Sequence, residues 1–291
     1  MIKKKLNSNA KKVDNFLKNF LNKQDKTSLI SPMKYGVLSG GKKIRSSIIL
    51  GAGKLYDIKI SKLINICAAV ECIHSYSLIH DDLPCMDNDK IRRGKPTTHI
   101  KYGESTAVLA GNSLLTLAFE MISDKNYKIN NASKSELVNA LSFCSGHSGI
   151  AGGQELDLSF ENKKKSFKQI IEMQKKKTGR LFNFCCLATG IISNKKKSEK
   201  FFLRKLGEDI GLLFQLSDDF LDIKGSKKLM GKSIKKDKKK GKSTLINLLG
   251  YEKAQKYAYN LKTKILRKLK KHGKKASDLN DIIEFILGRN Y

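Results

Sequence analysis

Apolar residues recur along this 291-residue chain at intervals of three and four, and no stretch alternates strongly between apolar and polar. Val13, Phe16, Leu17, Phe20 and Leu21 predict a first amphipathic helix over residues 13–22. The run Gly40-Gly41-Lys42-Lys43-Ile44-Arg45 opens a second, which continues to Tyr56. From Ser61 to Leu83 the chain is very apolar, yet residues such as Asn65, Glu71 and His74 make it too polar for a membrane span, and it reads as the central core helix. Further helical periods cover 104–123, 134–150, 166–190, 198–222, 243–248, 251–271 and 277–287. Segment 224–242 is rich in lysine and glycine and reads as a mobile loop. With only three prolines and no tryptophan, the expectation is an all-α chain forming one domain over 1–291.

Charge changes the picture more than length does. Lys and Arg number 58 against 27 Asp and Glu, a formal net charge of +31. That excess invites a nucleic-acid reading, but only seven of the basic residues are arginine, and guanidinium forks usually accompany lysine at such sites. A solvated lysine surface is the expectation, with no nucleic-acid partner; a basic nucleic-acid-binding protein is the alternative from another class. No run of about 18 uncharged apolar residues occurs, so no integral membrane segment is expected. Lys3-Lys4-Lys5 is followed by no apolar core, which argues against a secretory signal. The six cysteines show no CxxC pairing and read as reduced thiols of a cytoplasmic protein, several of them core-packing.

Against this basic background stand two acidic clusters, 137 positions apart: Asp81-Asp82-Leu83-Pro84-Cys85-Met86-Asp87 and Asp218-Asp219-Phe220-Leu221-Asp222. Hard carboxylate oxygens in threes suit Mg²⁺, which completes its shell with water and substrate phosphates. Asp218 and Asp222 share a helix face. Asp81 and Asp87 would not, unless Pro84 breaks the helix and returns Asp87 toward Asp81. Carboxylates this close repel one another, so replacing Asp81 or Asp218 with alanine is expected to relieve strain in the metal-free protein. Lys42, Lys43 and Arg45 at a helix start, and Arg92-Arg93 after the first cluster, are candidate anion holders. His74 lies nearly two turns before Asp81 on the same face, and Gln215 one turn before Asp218-Asp219. Gly241-Lys242-Ser243-Thr244 imitates the end of a phosphate-binding loop. The glycine that motif requires five positions earlier is Lys236, and no strand precedes it.

The run from Glu71 through His74 to Asp87, continued by Arg92-Arg93-Gly94-Lys95-Pro96-Thr97, resembles the first aspartate-rich region of bacterial trans-isoprenyl diphosphate synthases, the farnesyl diphosphate synthases in particular. Gly40 to Arg45, Gly152-Gly153-Gln154, Lys177-Thr178-Gly179 and Phe214-Gln215-Leu216-Ser217-Asp218-Asp219 match the other motifs of that family in order, over residues 35–250. Lys43 and Ser46 depart from it, where arginine and proline are usual. The resemblance implies a bundle of antiparallel helices around a deep cavity, and a homodimer. The implied reaction condenses isopentenyl diphosphate with dimethylallyl and then geranyl diphosphate. Mg²⁺, three ions with substrate bound, would be held by Asp81, Asp82, Asp87 and Asp218. Arg92, Lys177 and Lys232 would contact the leaving diphosphate, and Thr178 and Gln215 the developing cation. Lys42, Arg45, His74 and Arg93 would bind isopentenyl diphosphate. Tyr76, with Ser77 beside it, would form the cavity floor, and its bulk favours a C15 over a C20 product.

Overall fold

The computed structural model describes residues 2–229 and 244–289, with the side chains of 224–229 left aside. Within it the chain is helical, apart from one hairpin of two-residue strands, β1 (Ile91–Arg92) and β2 (Lys95–Pro96). The fold divides into two compact units: the described residues of Met1–Ser142 with Ala188–Lys196, and those of Phe143–Leu187 with Lys197–Tyr291.

The first unit contains α1 (Ile2–Asn22), α2 (Ile30–Val37), α3 (Ile44–Lys54), α4 (Ile64–Asp81), α5 (Thr98–Tyr102) and α6 (Glu104–Ser123). α1 begins eleven residues before the expected start. Leu6 and Ala10 extend the buried stripe of Val13, Leu17 and Leu21, while the intervening lysines lie on the outer face. α2 was not anticipated; Pro32 disguises it, yet proline is tolerated in a first helical turn. α4 is the buried central helix of this unit, from Asn65 to Ile79. It packs on α6, α3, α1 and α2. Glycines permit these approaches: a Cβ on Gly36 would sit 2.5 Å from Ile79 Cδ1. α6 is long and apolar enough to suit a bilayer by composition, with mean hydropathy 1.3 over 18 residues. It packs on α2, α4 and α5, and only 44% of that window is buried. Val108 (38% exposed) and Leu109 (51%) stand on its open side.

α7 (Asn131–Ser145) and α10 (Arg180–Ile192) run between the units along the chain; the second contains α8 (Ile150–Ser159), α9 (Phe167–Gln174), α11 (Lys197–Leu229), α12 (Leu245–Leu249), α13 (Tyr251–Leu269) and α14 (Ser277–Leu287). The expected helix over 134–150 ends early, at Ser145, because Gly146 and Gly149 close a turn (N–H to O, 2.9 Å) before α8 begins. The expected helix over 166–190 is interrupted by a π-helical turn, Lys175–Gly179. Helix α11 runs through 224–229, which corrects the mobile-loop expectation for those residues; 230–242 lies outside the described residues. None of the six cysteines forms a disulfide; five are buried and Cys85 is exposed.

Candidate active site

In the first unit, α4 ends at Asp81, and Asp82 caps it. Pro84 cannot continue the helix. The chain folds into a tight turn whose Asp87 N–H donates to the Asp81 carbonyl at 2.8 Å, with Met86 N–H (2.9 Å) and Asn88 N–H (3.0 Å) on the Leu83 carbonyl. Pro84 thus returns Asp87 to Asp81, as the spacing required. The hairpin follows. Arg93 (φ 53°) and Gly94 (φ 74°) occupy its two turn positions, both left-handed as a tight hairpin turn demands. This turn sends the two arginines to different places. Arg92 grips Asp82 as a fork, Nε lying 2.8 and 2.9 Å from the two carboxylate oxygens. Burial pushes the Asp82 carboxyl up, and Arg92 opposes that shift. Arg93 instead donates to the Gly40 carbonyl and to Ser39 Oγ (3.3 Å). A Cβ on Gly41 would meet its Cζ at 2.9 Å, so the Gly40-Gly41 pair is the seat on which Arg93 rests.

Lys43 is not an anion holder. Its side chain is 3% exposed and donates to the Val37 carbonyl (3.0 Å) and to Asp14 (3.1 Å). Lys42 and Arg45 on either side remain partly exposed. Ser46, where the resemblance leads one to expect proline, uses the N–H a proline would lack: it donates to Glu71 Oε1 (3.2 Å), as does its hydroxyl (2.7 Å). The buried Glu71 carboxylate thereby satisfies the start of α3, where a negative charge is favoured. His74 is partly buried; desolvation, then Arg45, Arg93, Lys43 and Arg92, hold its pKa well below 6.5. Tyr76 is 8% exposed and meets His80 edge-on at 5.5 Å. Burial, then the Asp81 charge, raises its phenol pKa. The Ser77 hydroxyl turns back to the His74 carbonyl (3.0 Å).

In the second unit the π turn carries Lys177 and Thr178. A π bulge rotates the following residues relative to a regular helix and is common at functional positions. Lys177 pairs with Asp157 of α8 at 2.6 Å. Thr178 Oγ1 donates to Gln215 Oε1 (2.8 Å), Gln215 Nε2 donates to Asp219 Oδ1 (2.9 Å), and Gln174 Nε2 to Asp219 Oδ2 (3.4 Å). Asp219 is pushed up to about 7, by burial first and then by Asp222, Asp218 and Asp157 against the Gln215 hydrogen bond. Gly153 accounts for its motif: a Cβ there would lie 2.1 Å from the Lys177 nitrogen. Gln154 is 7% exposed, and its amide atoms have no hydrogen-bond partner among the described residues. Asp218 binds Arg289 Nη2 at 2.9 Å. Sequence reasoning missed Arg289, Asp157 and Gln174. The first has no motif around it, and the other two become legible only once the π turn sets their neighbours. Lys232 lies outside the described residues.

Among the described residues no three His, Cys, Asp or Glu side chains converge tightly enough to make a closed metal cage. Mg²⁺ rarely uses one; it takes one or two carboxylates and fills its shell with water and phosphate oxygens. The donor set fits that habit. Asp81 and Asp87 are partly exposed carboxylates joined by one turn, and Asp218 is 38% exposed beside Asp219, whose pKa is raised by burial first and then by the nearby carboxylates.

The polyprenyl synthetase sequence profile matches residues 26–286. A farnesyl diphosphate synthase of Escherichia coli is 38% identical over 270 residues, covering 91% of this chain and 90% of that one. A farnesyl diphosphate synthase of Micrococcus luteus is 36% identical over 292 residues, covering the whole of both. The crystal structure of an FPP/GFPP synthase from Zymomonas mobilis superposes with a TM-score of 0.88 at 33% identity over 98% of each chain. The aspartate-rich turn, the glycine seat and the π turn all fall inside the matched span, and the chain belongs to the polyprenyl synthetase family.

Proposed function

We propose that this protein is a farnesyl diphosphate synthase, acting through the whole chain as one catalytic domain. It joins isopentenyl diphosphate to dimethylallyl diphosphate and then to geranyl diphosphate. The observation that carries the reading is the turn in which Asp87 N–H closes onto the Asp81 carbonyl. It gathers carboxylates at the end of a buried helix, beside two arginines aimed at different partners.

The allylic C–O bond breaks, the bonding pair leaves with the diphosphate, and an allylic cation remains. The double bond of isopentenyl diphosphate attacks it, and loss of a proton restores neutrality. Asp81, Asp82, Asp87 and Asp218 would hold Mg²⁺, which supplies Lewis-acid stabilisation of the leaving diphosphate. Arg92, Lys177 and Lys232 add positive charge to that group. The Thr178 hydroxyl and Gln215 amide, fixed by their mutual hydrogen bond, offer dipoles to the carbon cation without reorganising. Asp219 and Asp222 orient water. Lys42, Arg45 and Arg93 bind the isopentenyl diphosphate, and His74 meets it as a neutral imidazole because burial, and then the surrounding cations, disfavour its protonation. Tyr76 sets the C15 limit. Val108 and Leu109 on the open side of α6, with Ile100 (49% exposed) on α5, support a homodimer through that face, which light scattering would detect. Incubation with Mg²⁺, isopentenyl diphosphate and dimethylallyl diphosphate, followed by measurement of product chain length, tests the reading. A C15 product supports it, a C20 product makes the protein a geranylgeranyl diphosphate synthase, and no product overturns both.

A further inference from the structure

Arg289 follows α14, and its side chain is 3% exposed. Three oxygens fix the guanidinium: Nε donates to the Ile286 carbonyl (2.9 Å), and Nη2 donates to the Phe214 carbonyl (3.3 Å) and to Asp218 Oδ1 (2.9 Å). It also lies over the Phe214 ring, 4.4 Å from the centroid. Phe214 is one turn before Asp218 on α11, so ring, carbonyl and carboxylate share one helix face. A guanidinium cannot deprotonate to escape burial, and one clamped by two backbone carbonyls cannot swing away. Its charge is therefore a permanent part of the surroundings of Asp218.

We propose that Arg289 is the resident counter-ion of Asp218: a positioning residue that holds the carboxylate and sets how tightly the second acidic cluster takes a divalent cation. The proposal rests on the reading of Asp218 as a metal ligand. Asp218 is 38% exposed, so solvent and a cation can reach its side chain while Arg289 holds Oδ1. Asp219 has a different environment, the neutral amides of Gln215 and Gln174. The fixed positive charge lowers the affinity of the metal-free site, so that a cation is held firmly only when diphosphate oxygens arrive with it. The same contact keeps Asp218 aligned between turnovers.

Binding of Mn²⁺, alone and with inorganic diphosphate, can be followed by electron paramagnetic resonance in the full-length protein. Arg289→Gln is expected to tighten binding of Mn²⁺ alone by about threefold to tenfold, the scale of removing one charge a few ångströms away in a partly solvated site. Arg289→Lys, which keeps the charge, should stay within about twofold of the parent. Asp218→Asn should weaken binding, and adding Arg289→Gln to it should bring no recovery. Unchanged or weaker Mn²⁺ affinity in Arg289→Gln, with Asp218→Asn weakened, overturns the counter-ion role alone and leaves Arg289 as an anchor for α14. Unchanged affinity in Asp218→Asn removes Asp218 from the metal set and overturns the proposal together with the reading beneath it. Should Arg289→Gln not fold, the unsubstituted protein decides: the ¹⁵Nε–H resonance of Arg289 should move as Mg²⁺ and diphosphate are added, and a static resonance overturns the proposal.

Discussion

At the scale of single residues, neighbours decide the sign of each effect. Burial of His74, and then the four cations around it, depress its pKa below 6.5. The unfolded chain therefore binds the His74 proton more readily than the folded one, and this stabilisation is lost as pH falls below about 6.5. Denaturation of the parent and of His74→Gln at pH 7 and pH 5 should show the parent losing more stability on acidification. For Asp218 the structure reverses the expectation of relieved repulsion. Removing it leaves the buried Arg289 charge without its carboxylate, so Asp218→Ala should destabilise the metal-free protein by about 1–3 kcal/mol. Asp81→Ala, at a helix end open to solvent, should not. Thermal melts compare them, and both variants should lose most turnover. Arg92→Ala should likewise lower stability, because Asp82 is 2% exposed, whereas Arg93→Ala should act chiefly on the KM for isopentenyl diphosphate. Tyr76→Ala should shift products from C15 toward C20, since the ring is buried in a helix that packs too densely to yield without loss. Chromatography of dephosphorylated products checks it, and an unchanged C15 peak from folded protein would remove Tyr76 from the cavity floor.

Elements place these residues through backbone features more than through side-chain packing. The hairpin turn separates Arg92 from Arg93, the proline turn rejoins Asp87 to Asp81, and the π turn presents Thr178 to Gln215. Gly153 tests the last of these. A methyl group there would have to displace the Lys177 backbone, and α11 limits that movement: a Cβ on Gly211 would lie 2.8 Å from Gly179 Cα. Gly153→Ala should therefore cost about 1–3 kcal/mol of stability, the usual range for overpacking, and lower kcat more than KM by shifting Thr178 away from Gln215. Melting curves and steady-state kinetics on the same preparation measure both. An alanine variant with parental kcat would show that the π turn tolerates the displacement.

For the whole molecule, the net charge of +31 comes from an excess of lysine, and along α1 the lysines lie away from the buried stripe. Such a field attracts diphosphates and screens away with salt. KM for both substrates should rise with ionic strength, while the melting temperature changes little or improves. Any DNA retained at low salt should survive Asp81→Ala and Asp218→Ala, separating the lysine surface from the two acidic clusters.

The sequence by itself determined the helical class, the span and edges of α6 and α14, the buried rank of α4 and the residue types of both acidic clusters. These follow from period, composition and local charge, which are properties of neighbours along the chain. It also held the reason for the aspartate turn, because Pro84 acts on its own backbone. Tertiary structure alone decided that Lys43 turns inward to Asp14, that Ser46 uses its N–H on Glu71, that a π turn interrupts the segment after α9, and that Arg289 guards Asp218. Each of these joins positions far apart in the chain, or depends on a close approach that glycine permits only when a particular neighbour arrives, and a one-dimensional pattern carries no distance between such partners.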